Sequence, residues 1–402
     1  MNLQPLKGFR DFLPEQAAKR QWLKKRISEI CESWGYPPME TPTLEPLELF
    51  AGQIGEDEKL FFKFTDNGGR NVALRYDQTV PTCRVIGQYS NELTFPFRRY
   101  QIQSAFRAEN TQKGRYREFV QCDADIFGIE SPLADAEVIA LSLDIYRQLG
   151  FKQAKVLIND RTLIKNLPYE AIVAIDKLEK IGPEGVIQDM LSKGISEQKA
   201  REYFSQTSQI EPSEALNVIF EYLNKSGFSK ESYEFKPTLA RSFSYSTGPI
   251  WEVVIPEIGT SSVLGGERFD NLVEKISGQR IPGTGFGLGF DRTLEAADSL
   301  GLIPSFTTNT KIMVSIYSAQ TLDNSLELST FLRQAGLPTE MYPDTQTKLE
   351  KQLKYAAAKN IPFVAIVGPD EITKNILTLK DMGARSQLQI STQELITKLS
   401  TD

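Results

Sequence analysis

The sequence predicts an α+β domain interrupted by a helical insertion and followed by a small α/β domain. Three observations carry this reading. Residues 98–125 contain two stretches in which apolar and polar side chains alternate, the period of paired strands. Residues 164–232 are polar, lysine-rich and helical in pattern. From Lys311 onward, short apolar runs alternate with helical segments.

Asp11 and Pro14 open a first helix in which Leu23, Ile27, Ile30 and Trp34 recur at helical spacing; Gly35 and Pro37-Pro38 stop it. Residues 39–130 read mostly as short strands and turns. Ser131-Pro132 caps a helix that runs to Gly150. Glu170–Ile181 and Glu214–Leu223 are helical segments of the insertion. Strand character returns from Phe235 to about Gly266, and Gly283–Gly289 leads into a helix ending near Leu300. Pro304–Thr310 reads as a linker. Beyond it, Ile312–Tyr317, Thr339–Tyr342 and Phe363–Val367 read as strands of a mixed or parallel sheet. Leu322–Gln334, stopped by Gly336, and Leu349–Lys359 read as the helices between them.

Composition narrows the chemistry. The chain has 402 residues, 40% hydrophobic and 24% charged, ordinary values for a globular protein with more than one core. A net charge of −6 gives no global basic footprint, so any nucleic-acid contact must be local. The start, Met1-Asn2-Leu3-Gln4-Pro5, lacks the apolar core of a signal peptide, and no apolar run reaches membrane-spanning length. Cys31, Cys83 and Cys122 are dispersed and odd in number, as expected of reduced thiols in a cytoplasmic protein. Histidine is absent, which excludes Ser-His and Cys-His catalytic pairs, imidazole acid–base chemistry and His-containing metal sites. A zinc site held by the protein is not expected. Chemistry must come from Arg, Lys, carboxylates, hydroxyls or a metal carried in with a substrate.

The most informative run is Arg98–Glu109 followed by Lys113–Asp125. Five arginines and a lysine lie between positions 98 and 117 against one acid, Glu109. Such a hairpin suits a dense anion, phosphate first, and Phe106 and Phe119 offer ring faces to a base. The acids return at Glu118, Asp123 and Asp125, so the ligand expected here has two differently charged ends. The run Gly283-Thr284-Gly285-Phe286-Gly287-Leu288-Gly289 lacks dinucleotide-binding spacing, and the chain contains no phosphate-loop motif. It reads either as a strand packed through small residues or, with Arg292 just beyond, as bare backbone that a ligand approaches. Arg241 precedes an alternating serine/aromatic stretch through Tyr245 that reads as a cleft lining, and Gly265-Gly266-Glu267-Arg268-Phe269-Asp270 is similarly polar inside strands. In the last domain, Lys348, Lys351, Lys354 and Lys359 lie along one helix. Residues 308–402 nevertheless balance ten basic with ten acidic side chains, a weak signal for RNA.

These pieces, in this order, resemble the histidyl-tRNA synthetases of class II. Lys7–Pro14 resembles that family's opening, and the stretch around Thr41-Pro42 its motif 1. Phe106–Glu109 through Phe119 resembles motif 2, Gly285–Arg292 motif 3, and 311–402 the anticodon-binding domain. The resemblance implies a six-stranded class II antiparallel catalytic sheet spanning residues 1–163 and 233–303. It also implies a helical insertion at 164–232 and an anticodon-binding domain at 308–402. It implies a cytoplasmic homodimer that takes ATP with Mg2+, histidine and tRNA(His), with no metal held by the protein. Arg107 would meet the α-phosphate, Phe119 stack on adenine, Glu109 lie near its amino group, and Arg292 cover its far side or the γ-phosphate. Arg115 would lie near the distal phosphates or the tRNA end, and Arg241 would stabilise charge at the reacting phosphorus. Asp77 and Thr79 would hold the α-amino group, Gln121 the substrate backbone, and Asp125 the imidazole, with Tyr245 beside it.

The chain also departs from the family's usual runs, Arg-Gly-Leu-Asp-Tyr-Tyr-Thr-Gly and Gly-Gly-Gly-Arg-Tyr-Asp. Ser242, Phe243, Ser244 and Ser246 stand in the first, and Glu267 and Phe269 in the second. Loss of a buried hydrogen-bonding partner costs about 1–3 kcal/mol. Either the pocket is rebuilt, with Glu267 or Ser246 taking a ring nitrogen, or the substrate is another amino acid. A non-catalytic paralogue regulating histidine metabolism is a further alternative; retention of Arg107, Arg241, Arg292 and the C-terminal domain argues against it.

Overall fold

The computed structural model describes residues 3–50, 60–110, 115–241, 245–259, 261–306 and 308–400. Lys113 and Gly114 of the cationic run and Ser242–Ser244 lie outside the described residues. The chain divides into two compact units. One comprises Arg20–Ile303 with the residues up to Asp11, the other Phe12–Lys19 with the residues from Pro304 onward.

The first helix, α1 (Pro14–Ser33), belongs to the larger unit from Arg20 onward, where it buries Leu23, Ile27 and Ile30, as their spacing predicts. A small antiparallel sheet follows, made of β1 (Leu44–Pro46), β2 (Lys63–Thr65) and β3 (Asn71–Leu74), and then α2 (Thr79–Gln88). The large sheet takes β4 (Phe97–Phe106), β5 (Glu118–Phe127), β6 (Lys155–Asp160), β7 (Tyr233–Phe235), β8 (Pro249–Val254), β9 (Leu264–Arg268) and β10 (Gly283–Gly289). Its order is β4-β5-β10-β9-β8-β6-β7. The sheet therefore has seven strands where six were expected. Six run antiparallel to their neighbours, and the three-residue β7 adds a parallel edge beside β6.

One face of this sheet is apolar. Tyr100, Val120, Cys122, Ala124, Ile126, Phe286 and Leu288 point to it and pack on α3 (Pro132–Gln148), whose N-terminus is capped by Ser131. Arg268 fastens the two layers by pairing with Asp135 of α3, with its Nη2 2.8 Å and its Nε 3.0 Å from that carboxylate. The alternating residues of the same strands face the other way and carry the polar groups described below.

The helical block is not one body. Within it, α4 (Tyr169–Ile175), α5 (Leu178–Ser192) and α6 (Glu197–Ser208) close a core of their own around Ile172, Val186 and Met190. In contrast, α7 (Glu214–Lys225) sends Leu216, Ile219 and Leu223 into the main core beside α3. The expected helix 170–181 breaks after Ile175, and α5 is itself kinked at Gly182, whose φ of 68° precedes Pro183. The unit ends with α8 (Leu272–Ser277) and α9 (Phe290–Ser299).

The smaller unit alternates β11 (Ile312–Val314), α10 (Leu322–Gln334), β12 (Thr339–Met341), α11 (Leu349–Ala358) and β13 (Phe363–Ile366). It then adds α12 (Pro369–Lys374), the antiparallel pair β14 (Leu377–Asp381) and β15 (Ser386–Ile390), and α13 (Thr392–Ser400). Its sheet is mixed, in the order β12-β11-β13-β14-β15. Gln352 of α11 is buried and accepts from Ile316 N at 3.0 Å while donating to Ile316 O and Thr347 O at 2.7 Å. Replacement of Gln352 by Leu, similar in volume, should destabilise this unit by about 1–3 kcal/mol, because two backbone carbonyls and one N–H lose their partner. Chemical denaturation monitored by circular dichroism checks this, and an unchanged midpoint would show that the backbone finds other partners.

Candidate active site

A cavity of about 360 Å³ opens on the polar face of the large sheet. Its floor is β10. Gly283, Gly285, Gly287 and Gly289 alternate with Thr284, Phe286 and Leu288, so every side chain of the strand goes to the core face and none to the cavity. A Cβ at Gly285 would collide with the Asp125 carboxylate, and one at Gly287 would stand 3.0 Å from Gln121 Nε2. On β9, the Arg241 guanidinium lies where a Cβ of Gly265 would be. The run is thus a strand that packs through its large residues on one face and contributes no side chain to the other.

Most of the sequence-predicted residues reach this one cavity; Ser246, a candidate for a ring nitrogen, lines a neighbouring recess instead. Asp77, Thr79, Arg107, Glu109, Arg115, Phe119, Gln121, Asp125, Arg241, Tyr245 and Arg292 line the cavity, together with Glu267 and Phe269. Arg107, just past β4, has its guanidinium 5.1 Å from the Phe119 ring and 4.3 Å from the Tyr76 ring. Arg115 and Glu109 stand 3.6 Å apart at the solvent side. Arg292 opens α9 and donates to Ser262 O at 3.0 Å; burial, then the neighbouring Arg115, pulls its pKa down, so this cationic end gains by taking an anion. Its neighbour Asp291 fixes the helix by accepting from Arg10 at 2.9 Å, Arg20 at 2.5 Å and the Val120 amide at 3.2 Å.

Carboxylates occupy the opposite end. Asp77 accepts from the Val80 amide at 3.2 Å at the start of α2, and burial raises its pKa. Gln121 donates to Asp123 at 2.9 Å. Asp125 pairs with Arg99, its register partner on β4. Burial pushes Asp123 up to about 8 and Asp125 up to about 6, against the pull of Arg99. Arg241 stands 3.5 Å from both Glu252 and Glu267; burial opposes its charge, yet these two carboxylates raise its pKa. Tyr245 packs in an apolar cluster with Phe269 and Phe127, and the two phenylalanine rings meet edge-on at 5.8 Å.

Sequence reasoning gave no role to Arg75, Gln78 or Arg99. Arg75 donates to Ser104 O at 2.6 Å and to Thr41 O and Gln103 Oε1 at 2.8 Å, joining the 41–43 segment to β4. Gln78 bridges Gln103 O and Gln121 O at 2.9 and 2.8 Å. Each is polar and buried, and each lies among other polar residues, so nothing in the local pattern separates it from a solvent-exposed side chain. Among the described residues, no group of three His, Cys, Asp or Glu side chains is placed to hold a metal. No helix among them is long and apolar enough to cross a membrane.

An antiparallel sheet with a glycine floor, an arginine on the hairpin and another at the start of the following helix defines a class II aminoacyl-tRNA synthetase catalytic domain. The chain belongs to the histidyl-tRNA synthetase family, whose model matches residues 8–182 and 186–293. An anticodon binding domain model matches residues 310–402. The chain is 35% identical to a histidine--tRNA ligase of Cytophaga hutchinsonii, covering 98% of both chains. It is 36% identical to one of Wolinella succinogenes, covering 94% of this chain and 93% of that one. The crystal structure of a histidyl-tRNA synthetase from Nostoc sp. PCC 7120 superposes with a TM-score of 0.84 at 26% identity, over 100% of this chain and 99% of that one.

The raised pKa of Asp123 has a measurable consequence. A carboxyl whose pKa rises from 3.8 to about 8 on folding keeps its proton in the native state, so its contribution to stability is complete at low pH and is lost as pH rises through about 8. Asp123→Asn, which retains a carbonyl acceptor for Gln121, should gain in melting temperature relative to the unsubstituted protein between about pH 6 and pH 9. Parallel melting curves across that range would contradict a buried, protonated Asp123.

Proposed function

We propose that this chain activates histidine with ATP, releasing pyrophosphate, and transfers the histidyl group to the 3′ end of tRNA(His). The observation that carries the proposal is the convergence of Arg107, Arg241 and Arg292, from three separate segments, on one glycine-floored cavity that also holds buried carboxylates. Family membership supports it.

In this reading ATP lies along the cationic side of the cavity. Arg107 meets the α-phosphate, Phe119 stacks on adenine, Glu109 accepts from its amino group, and Arg292 takes the γ-phosphate or the far side of the base. Arg115 lies near the distal phosphates or the incoming tRNA end. Mg2+ enters with ATP as part of the substrate and shields the phosphate charge. Histidine enters from the acidic side, its α-amino group on Asp77 and Thr79, its backbone near Gln121, and its ring between Asp125 and Tyr245. The amino-acid carboxylate attacks the α-phosphorus in line, and a P–O bond to pyrophosphate breaks. Arg241 offsets the charge that develops there. The terminal 3′-hydroxyl of tRNA then attacks the adenylate carbonyl and AMP leaves. No step requires a protein imidazole; the contributions are positioning and charge stabilisation.

Residues 1–163 with 233–303 would form the catalytic core, 164–232 the inserted segment, of which α7 packs into the main core, and 308–402 the anticodon reader of a cytoplasmic homodimer. ATP–pyrophosphate exchange with each amino acid in turn tests the activity, and histidine alone should support it. Exchange with another amino acid, or with none, would overturn the proposal. Arg241→Ala should lower exchange by about 10²–10³-fold, as loss of a charge-stabilising donor does elsewhere. Retention of full exchange would remove Arg241 from the reacting phosphorus.

A further inference from the structure

Asp125 and Glu267 occupy one row across three strands. Gly285 on β10 is the register partner of Asp125 on β5 and of Glu267 on β9. Directly opposed residues share a face of the sheet, so both carboxylates rise on the cavity side; Gly285 between them has no side chain of its own, and the Asp125 carboxylate reaches over it to where a Cβ would stand. With adjacent strands ~4.8 Å apart, the two backbones stand roughly 10 Å from each other across this gap.

Each carboxylate is held from outside the row. Arg99 pairs with Asp125 from β4. Ser246 donates to Glu267, and Arg241 Nε lies 3.5 Å from it. Ser246 stands outside the main cavity, in a neighbouring recess with Arg161 and Thr247, so it braces Glu267 from behind. Arg241, Arg161 and Tyr245 are the charged or titratable groups facing Glu267; Arg99, Asp123 and Cys83 face Asp125. Both carboxylates are almost fully buried and line the cavity, and a carboxylate oxygen with one partner keeps a further lone pair that can accept from a ligand.

A flat ring with N–H groups on two edges, seated on the cavity side of this row, can donate to both acceptors. A neutral imidazole supplies one N–H, and an imidazolium supplies two. We propose that Glu267 is a second recognition group for the substrate side chain, opposite Asp125, and that the pair selects the ring in its two-donor, cationic form. The inference rests on histidine being the amino acid activated. It assigns Glu267 to substrate contact and Ser246 to positioning Glu267.

The test is ATP–pyrophosphate exchange with histidine and with 1,2,4-triazole-3-alanine, whose ring stays neutral in the assay range. The unsubstituted protein should prefer histidine. Glu267→Gln keeps shape and removes charge; it should raise the KM for histidine about tenfold or more, leave the KM for ATP within roughly twofold, and narrow the preference over the triazole. Ser246→Ala leaves the carboxylate in place and should raise the histidine KM by a smaller factor, again without moving ATP, which keeps the proposal testable should Glu267→Gln fail to fold. An unchanged histidine KM and ring preference would overturn it. So would a rise in the ATP KM alone, which would make Glu267 an orienter of Arg241. Unsubstituted protein that exchanges with no amino acid, or with one other than histidine, would remove the parent reading and this one together.

Discussion

The larger unit depends on a strand with no side chains on one face. The four glycines of β10 let Asp125, Gln121 and Asp123 from β5 lie over its backbone, while Gly265 of β9 makes room for Arg241. A glycine strand is a poor strand by itself, losing more backbone entropy than any other on ordering. Here it is held between β5 and β9 and from below by Phe286 and Leu288, which share the core with α3. The constraint is steric and local to alternate positions, and its product is a cavity floor whose own strand contributes no side chain to it.

Charge is organised on that floor in two blocks. Arginines arrive from the end of β4, the segment before β8 and the start of α9; carboxylates arrive from β5, β9 and the turn into α2. Burying so many charges is unfavourable unless each is paired. The pairing is done by Arg99, Arg241, Gln121 and Ser246, none of which points to solvent from the sheet edge. The polar groups of the site thus hold one another in place. Arg268 with Asp135 performs the equivalent task on the core face by fixing α3 to the strand that carries Glu267.

The smaller unit follows a different logic. Its central strands are parallel and buried on both faces, with Ile312 and Val314 on one side and Met313 and Val364 on the other. The lysines of α11 are partly engaged: Lys354 pairs with Glu350 at 2.7 Å and Lys359 with Glu340 at 2.5 Å. The balanced charge of this unit is therefore reflected in local pairing rather than in a continuous basic face.

Several features were legible in sequence because their causes are local. The Ser131 cap, the spacing of Leu23, Ile27 and Ile30, the alternation along 98–125 and the alternate glycines of 283–289 depend on residues a few positions apart. The absence of histidine excluded whole classes of chemistry without any coordinates. Less was legible where an element is short or borrows its stability from elsewhere. The strands β14 and β15 have no counterpart in the sequence reading, β7 meets the expected strand stretch only at Phe235, and α7 does not share the core of the helices that precede it. What tertiary structure alone decided is who faces whom across strands distant in sequence. Position 267 is a glutamate in the sequence; that it stands opposite Asp125 over Gly285, braced by Ser246, follows from the pairing of β9, β10 and β5. The partner of Asp125 is likewise set by a register with Arg99 that no local pattern specifies. Side-chain period and residue type are properties of the chain, whereas a charge acquires its partner and its dielectric surroundings only when the sheet closes around it.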